Sequence, residues 1–135
     1  MAVHNFTPEE ANEALEHVRP LVERMVEARA ALTRAQREQS ELVARIASNG
    51  GGLSPPDVAV AAEEVERASR ELVSLVDEIQ ALGVLIKDLE RGLVDFPCVH
   101  RGREILLCWE LGEDEVAWWH GADEGFAGRR PLPLD

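Results

Sequence analysis

The chain has 135 residues, a formal net charge of −12, three tryptophans and no tyrosine. That length holds a single domain, residues 1–135, with a modest core. The acidity argues against nucleic acid and anionic membranes as partners, because phosphate recognition needs a basic surface.

The start, Met1-Ala2-Val3-His4, lacks the basic and apolar run of a leader. No stretch approaches the length of a membrane span. The expected location is cytoplasmic, where Cys98 and Cys108 are expected as free thiols.

Helix one is predicted over residues 8–47. Thr7, Pro8 and Glu10 form a capping-box start, with Phe6 placed for a hydrophobic staple. A heptad seam runs from Ala11 through Val18, Met25, Ala28 and Leu42 to Ile46, broken only at Gln39. Pro20 inside it removes one backbone hydrogen bond and should bend the helix. Ser48-Asn49-Gly50-Gly51-Gly52 ends the helix, and Ser54 is set to cap the next. Helix two is predicted over about 55–91. Its seam runs from Val58 through Val65, Leu72 and Ile79 to Leu89, with Gly92 as the residue past its end.

Similar lengths permit antiparallel pairing into a two-helix coiled-coil hairpin, with Met25 opposite Ile79. Two helices alone leave Leu15, Val22, Val43, Val73 and Val84 wet. Covering them calls for the C-terminal segment and for a second copy, giving a homodimeric four-helix bundle.

From about residue 93 the pattern changes. Strands are predicted over 103–110 and 115–120, joined by a two-residue turn beginning at Gly112. In that register Leu107 opposes Trp118, and Ile105, Leu107, Trp109, Val116, Trp118 and His120 share a face. The fold class is therefore α+β, mainly α, with a C-terminal β-hairpin packed at the open end of the helices.

Chemistry-bearing residues concentrate between positions 95 and 130. Neither seam carries the carboxylates of a di-metal bundle site, and no P-loop, His-Glu-x-x-His helix or nucleophile elbow is present. Asp95, Cys98, His100, Cys108, Glu110 and His120 offer ligand types that zinc or ferrous iron prefers. Asp95, Cys108 and His120 are the candidate metal ligands, although the register above puts Cys108 and His120 on opposite faces. Arg129 and Trp119 are the candidate anion- or cofactor-binding residues, with Asp95, Glu113 or Asp114 competing for the arginine.

Phe6-Thr7, Glu10-Ala11-Asn12 and Arg19-Pro20-Leu21 resemble the opening of the uncharacterised prokaryotic family called domain of unknown function 2203. The likeness continues through Lys87-Asp88, Gly92-Leu93-Val94-Asp95-Phe96-Pro97, Gly102-Arg103 and Leu107-Cys108-Trp109. Leu111-Gly112-Glu113, Trp119-His120, Gly125-Phe126 and Gly128-Arg129 complete it. The C-terminal motifs are its specific part. Asp95, Cys108, Glu113, His120 and Arg129 fall inside the motif, and Cys98 and His100 outside it. The resemblance implies a class and no mechanism.

With no complete catalytic constellation, the leading expectation is a non-catalytic scaffold that self-associates through its helices and binds an unidentified protein partner. The alternative is a metal- or small-anion-binding protein with its site at the C-terminal β-hairpin.

Overall fold

The computed structural model describes residues 4–49 and 55–135. It is an α+β protein of two helices packed together and a five-stranded antiparallel sheet. Helix α1 spans Pro8–Asn49 and runs through Pro20, and α2 spans Pro55–Ala81. Strands β1 (Leu85–Asp88), β2 (Leu93–His100), β3 (Arg103–Glu110), β4 (Trp118–Gly121) and β5 (Arg130–Pro131) follow in chain order, which is also their order in the sheet. The glycine turn and the Ser54 cap lie outside the described residues.

The capping box at the start of α1 is complete. Thr7 N–H donates to Glu10 Oε1 at 2.9 Å, and Glu10 N–H donates to Thr7 Oγ1 at 3.0 Å. Two donors that the helix leaves open are thereby satisfied.

Helix two is shorter than its seam suggests. It ends at Ala81, not near residue 91, and Leu85–Asp88 forms strand β1. Gly83, not Gly92, terminates it. Its φ of +88° suits the residue after a helix, and Leu82 and Gly83 N–H groups donate back to Ile79 and Gln80 carbonyls. The apolar residues at 82, 86 and 89 imitate a continued heptad, but Ile86 pairs with Val94 across the sheet. Gly92 serves the β1–β2 turn instead. There Asp88 Oδ1 accepts from the N–H groups of Glu90 and Arg91.

The chain divides into two compact units. The unit of Met1–Val26 with Leu75–Asp135 contains the whole sheet. Leu15, Val18, Val22, Leu75, Ile79 and Val84 are buried in it, as are Phe96, Leu107 and Trp109 from one face of the sheet. Each such side chain contributes about 1.5–3 kcal/mol when removed from water. The unit of Glu27–Ser74 buries Ala28, Leu42 and Leu72 along the seam, while Val43, Val58, Val60 and Val73 stand exposed.

Helix α1 is tied to the sheet by polar contacts as well as packing. Phe6 meets Phe96 edge-on at 5.2 Å and donates its N–H to Pro97 O. A strand residue's N–H and C=O point the same way, so Pro97 lacks its donor on the side where β1 has already ended and Phe6 takes over. The Arg19 guanidinium lies 5.4 Å from the Trp109 ring and donates to the carbonyls of Glu113 and Asp114. Asn12 accepts from Val116 N–H at 2.7 Å and donates to Val116 O.

These last contacts explain why the β3–β4 link is not a two-residue turn. Residues 111–117 form a longer loop that α1 holds, and β4 begins only at Trp118. Glu113 is its hub: its side chain accepts from Glu110 N–H and Arg129, and its carbonyl from Arg19 and Trp109 Nε1–H. Replacing Asn12 by Ala leaves the Val116 groups without their helix partner. It should cost about 1–3 kcal/mol, read as a lower urea midpoint. An unchanged midpoint would mean the loop holds its own shape.

Candidate metal centre

The register of β3 and β4 is one residue away from the expected one. Leu107 opposes Trp119, Cys108 opposes Trp118, and Leu106 opposes His120. Because side chains alternate along a strand, this shift moves Trp118 and His120 to the face opposite Leu107 and Trp109. Cys108 and His120 therefore share a face, contrary to the sequence-based register. Strand β2 brings Asp95 directly opposite Cys108 on that same face.

The three side chains converge. Asp95, Cys108 and His120 are 1%, 1% and 3% exposed. One ligand atom from each lies within 4.8 Å of the others. His120 Nε2 is 3.3 and 3.2 Å from the two Asp95 oxygens, and its Nδ1 is 2.8 Å from Gly121 O. A carbonyl can only accept, so Nδ1 carries a proton and donates it there. In the neutral ring, Nε2 then presents a lone pair to a carboxylate. A buried carboxylate must be compensated. A proton shared between the two groups, or a metal ion held by both, would supply that compensation.

A charge-assisted N–H···O bond is usually about 2.7–2.9 Å long and directed at one oxygen. Here the contact is longer and nearly equal to both. Metal–ligand bonds of about 2.0–2.2 Å at tetrahedral angles put neighbouring N and O ligands about 3.3–3.6 Å apart, close to the spacing here. The Nδ1–H to carbonyl bond is also the usual brace of a metal-ligating histidine.

Cys108 is a thiol held neutral in the absence of a cation. Burial first, and then the Asp95 charge, push it up to about 12, while the nearby Arg129 guanidinium opposes the rise. Cys98, a second free and buried thiol, is also pushed up by burial, but it sits opposite Ile105 on the other face. His100 pairs across from Arg103 on that other face too, and Glu110 binds Arg91 at 2.7 Å. None of these three joins the cluster among the described residues.

Arg129 lies on the same side of the sheet as Cys108. It pairs with Glu113 at 2.6 Å, reaches Cys108 O at 3.4 Å, and lies over Trp118 at 5.2 Å and Phe126 at 4.5 Å. Arg91 lies 4.5 Å from the Phe126 ring. The Arg129 Nε is buried without a hydrogen-bond partner. Trp119 belongs to the opposite face, with Arg130 at 4.8 Å from its ring. The two expected anion-binding residues are thus divided between the faces. Arg130, which pairs with Glu124 at 2.9 Å, takes the place beside Trp119. The adjacent arginines gave no sequence signal to tell them apart, because their faces follow from the β4–β5 register.

The family model described as an uncharacterized conserved protein (DUF2203) matches residues 4–132. No curated protein and no solved structure matches the chain. No helix among the described residues is long and apolar enough to cross a membrane.

The raised Cys108 value has a consequence for the metal-free protein. An unfolded thiol loses its proton from about pH 9 upward, whereas the folded one keeps it to about pH 12. The thiol's contribution to stability is thus intact below about pH 9 and is lost as pH rises between those values. Thermal melts in chelator between about pH 8 and about pH 11 should fall less steeply for Cys108→Ala than for the native chain. Cys98 supplies a residual slope of the same sign, and parallel slopes for the two proteins would count against the assignment.

Proposed function

The chain belongs to the DUF2203 family of uncharacterized conserved proteins, and within it we propose a metal-binding protein whose centre is Asp95, Cys108 and His120. The observation that carries this reading is the His120 ring. Its Nδ1–H is spent on Gly121 O, and its Nε2 faces both oxygens of a buried carboxylate at a metal-ligand spacing. One sulfur, one imidazole and one carboxylate suit zinc, with ferrous iron as the rival. Cys108 Sγ would close in by up to about 1 Å to complete three bonds. Three protein ligands leave a fourth position for water or a small anion, and the unpaired Arg129 Nε–H is a donor on that side of the sheet.

Binding displaces the Cys108 proton, so affinity should strengthen with pH by about tenfold per unit near neutrality. Cobalt titration of the chelated protein checks this. The expected result is one ion per chain with a thiolate-to-cobalt absorption band. That band should vanish in Cys108→Ala, and the affinity should fall by more than about 100-fold in His120→Ala. A chain that binds no cobalt and no zinc would overturn the metal reading.

A second reading rests on a separate observation, the exposed Val43, Val58, Val60 and Val73 of the helical unit Glu27–Ser74. In it the heptad seams act as a coiled-coil hairpin that pairs with a second copy, giving a cytoplasmic homodimer that serves as a scaffold. The C-terminal β segment would pack at its open end. Sedimentation equilibrium should give twice the monomer mass for the native chain, and the monomer mass for Val60→Glu with Val73→Glu. A native chain that sediments as a monomer would remove the scaffold.

A further inference from the structure

On the sheet face away from Asp95, the strands end in an arginine-rich cavity of about 540 Å³ lined by His100, Arg101, Arg103, Trp119, Arg130 and the acidic Asp135. The register accounts for most of this lining. His100 opposes Arg103, Leu107 opposes Trp119, and Trp119 opposes Arg130, so these side chains share a face beyond the part that Phe6 and Trp109 fill. In a chain with 26 acidic and 14 basic residues, three arginines are gathered here beside the single carboxylate side chain of Asp135.

The charges in this cavity are not equally available. Arg130 is held bidentate by Glu124 at 2.9 and 3.1 Å, which draws the Glu124 carboxyl below its ordinary value. His100 Nε2 is 2.6 Å from Asp135 O. Arg101 and Arg103 have no carboxylate within ion-pair distance among the described residues. Two free guanidinium charges match the dianion of a phosphate monoester more closely than the single charge of a carboxylate.

The turn that carries Arg101 supplies an independent observation. Arg101 has φ +53° and Gly102 +75°, the pattern of a two-residue hairpin turn for which Asn-Gly is the favoured sequence. Arg101 is the one non-glycine with positive φ among the described residues. An arginine is a poor local choice there, and turn formation does not account for it.

We propose that this cavity is a subsite for the phosphate group of a small phosphomonoester, gripped by Arg101 and Arg103 beside the Trp119–Arg130 wall. The inference is separate from the metal reading, because the two sites lie on opposite faces of the sheet.

The test is an NMR titration of the full chain with inorganic phosphate, phenyl phosphate and benzoate at constant ionic strength. Saturable shifts should appear at the Arg101, Gly102 and Arg103 amides and the Trp119 indole, with phenyl phosphate at least about tenfold tighter than benzoate. Arg103→Ala should weaken phenyl phosphate by about tenfold or more, and Arg67→Ala on α2 should leave it unchanged. Arg101→Asn is the sharper variant. It suits the turn, so it should raise the urea midpoint while weakening phosphate binding by a similar factor. Linear shifts without saturation, equal binding of benzoate, or equal loss in Arg67→Ala would each overturn the proposal.

Discussion

A carboxylate on strand β2 with almost no exposure has to find a cation, and much of the sheet is arranged around that requirement. Asp95 has Leu85 on one side and Cys108 on the other, neither of which carries positive charge. The group that meets it comes from the next strand but one, His120 Nε2 at 3.2 and 3.3 Å. That reach is possible only if β4 pairs with β3 in the observed register. A slip by one residue would send His120 to the helix-facing side and leave a buried anion alone, at a cost of several kcal/mol.

The register is set far from the cluster. Arg19 and Asn12 on α1 hold the backbone of residues 113–116, and Glu113 ties the end of β3 to Arg129. The first turns of a helix thus determine which face receives the histidine. The same loop places Trp109 under Arg19 and its indole N–H on Glu113 O, so core packing and site geometry share their supports. The sheet then separates two chemistries. One face carries sulfur, imidazole and carboxylate donors in a dry setting, and the other ends in exposed guanidinium groups at the cavity mouth.

The first helix was readable in detail because its signals are local. A capping box spans four residues, and the reciprocal Thr7–Glu10 bonds follow from it directly. The candidate ligands Asp95, Cys108 and His120 were also readable as residue types. Their mutual approach was not, since a hairpin turn built on Gly112 is locally as reasonable as the longer loop. Helix two misled for a related reason. Residues 82, 86 and 89 keep helical spacing, yet Gly83 ends the helix and cross-strand pairing claims Ile86. Strand β5, two residues long, has no periodicity to read.

What the sequence determined by itself is the part governed by short-range physics: the α1 start, the long apolar seams, the acidic surface and the inventory of metal-capable side chains. Family membership was legible there as well, in motifs concentrated toward the C-terminus. What only the tertiary structure decided is which side of the sheet each of those side chains occupies. Side-chain direction in a strand flips with every residue, so one position of register reassigns the whole set. Register is fixed here by α1 contacts about a hundred residues away in sequence, as in the Asn12–Val116 and Arg19–Asp114 pairs. No local pattern in a strand carries that information.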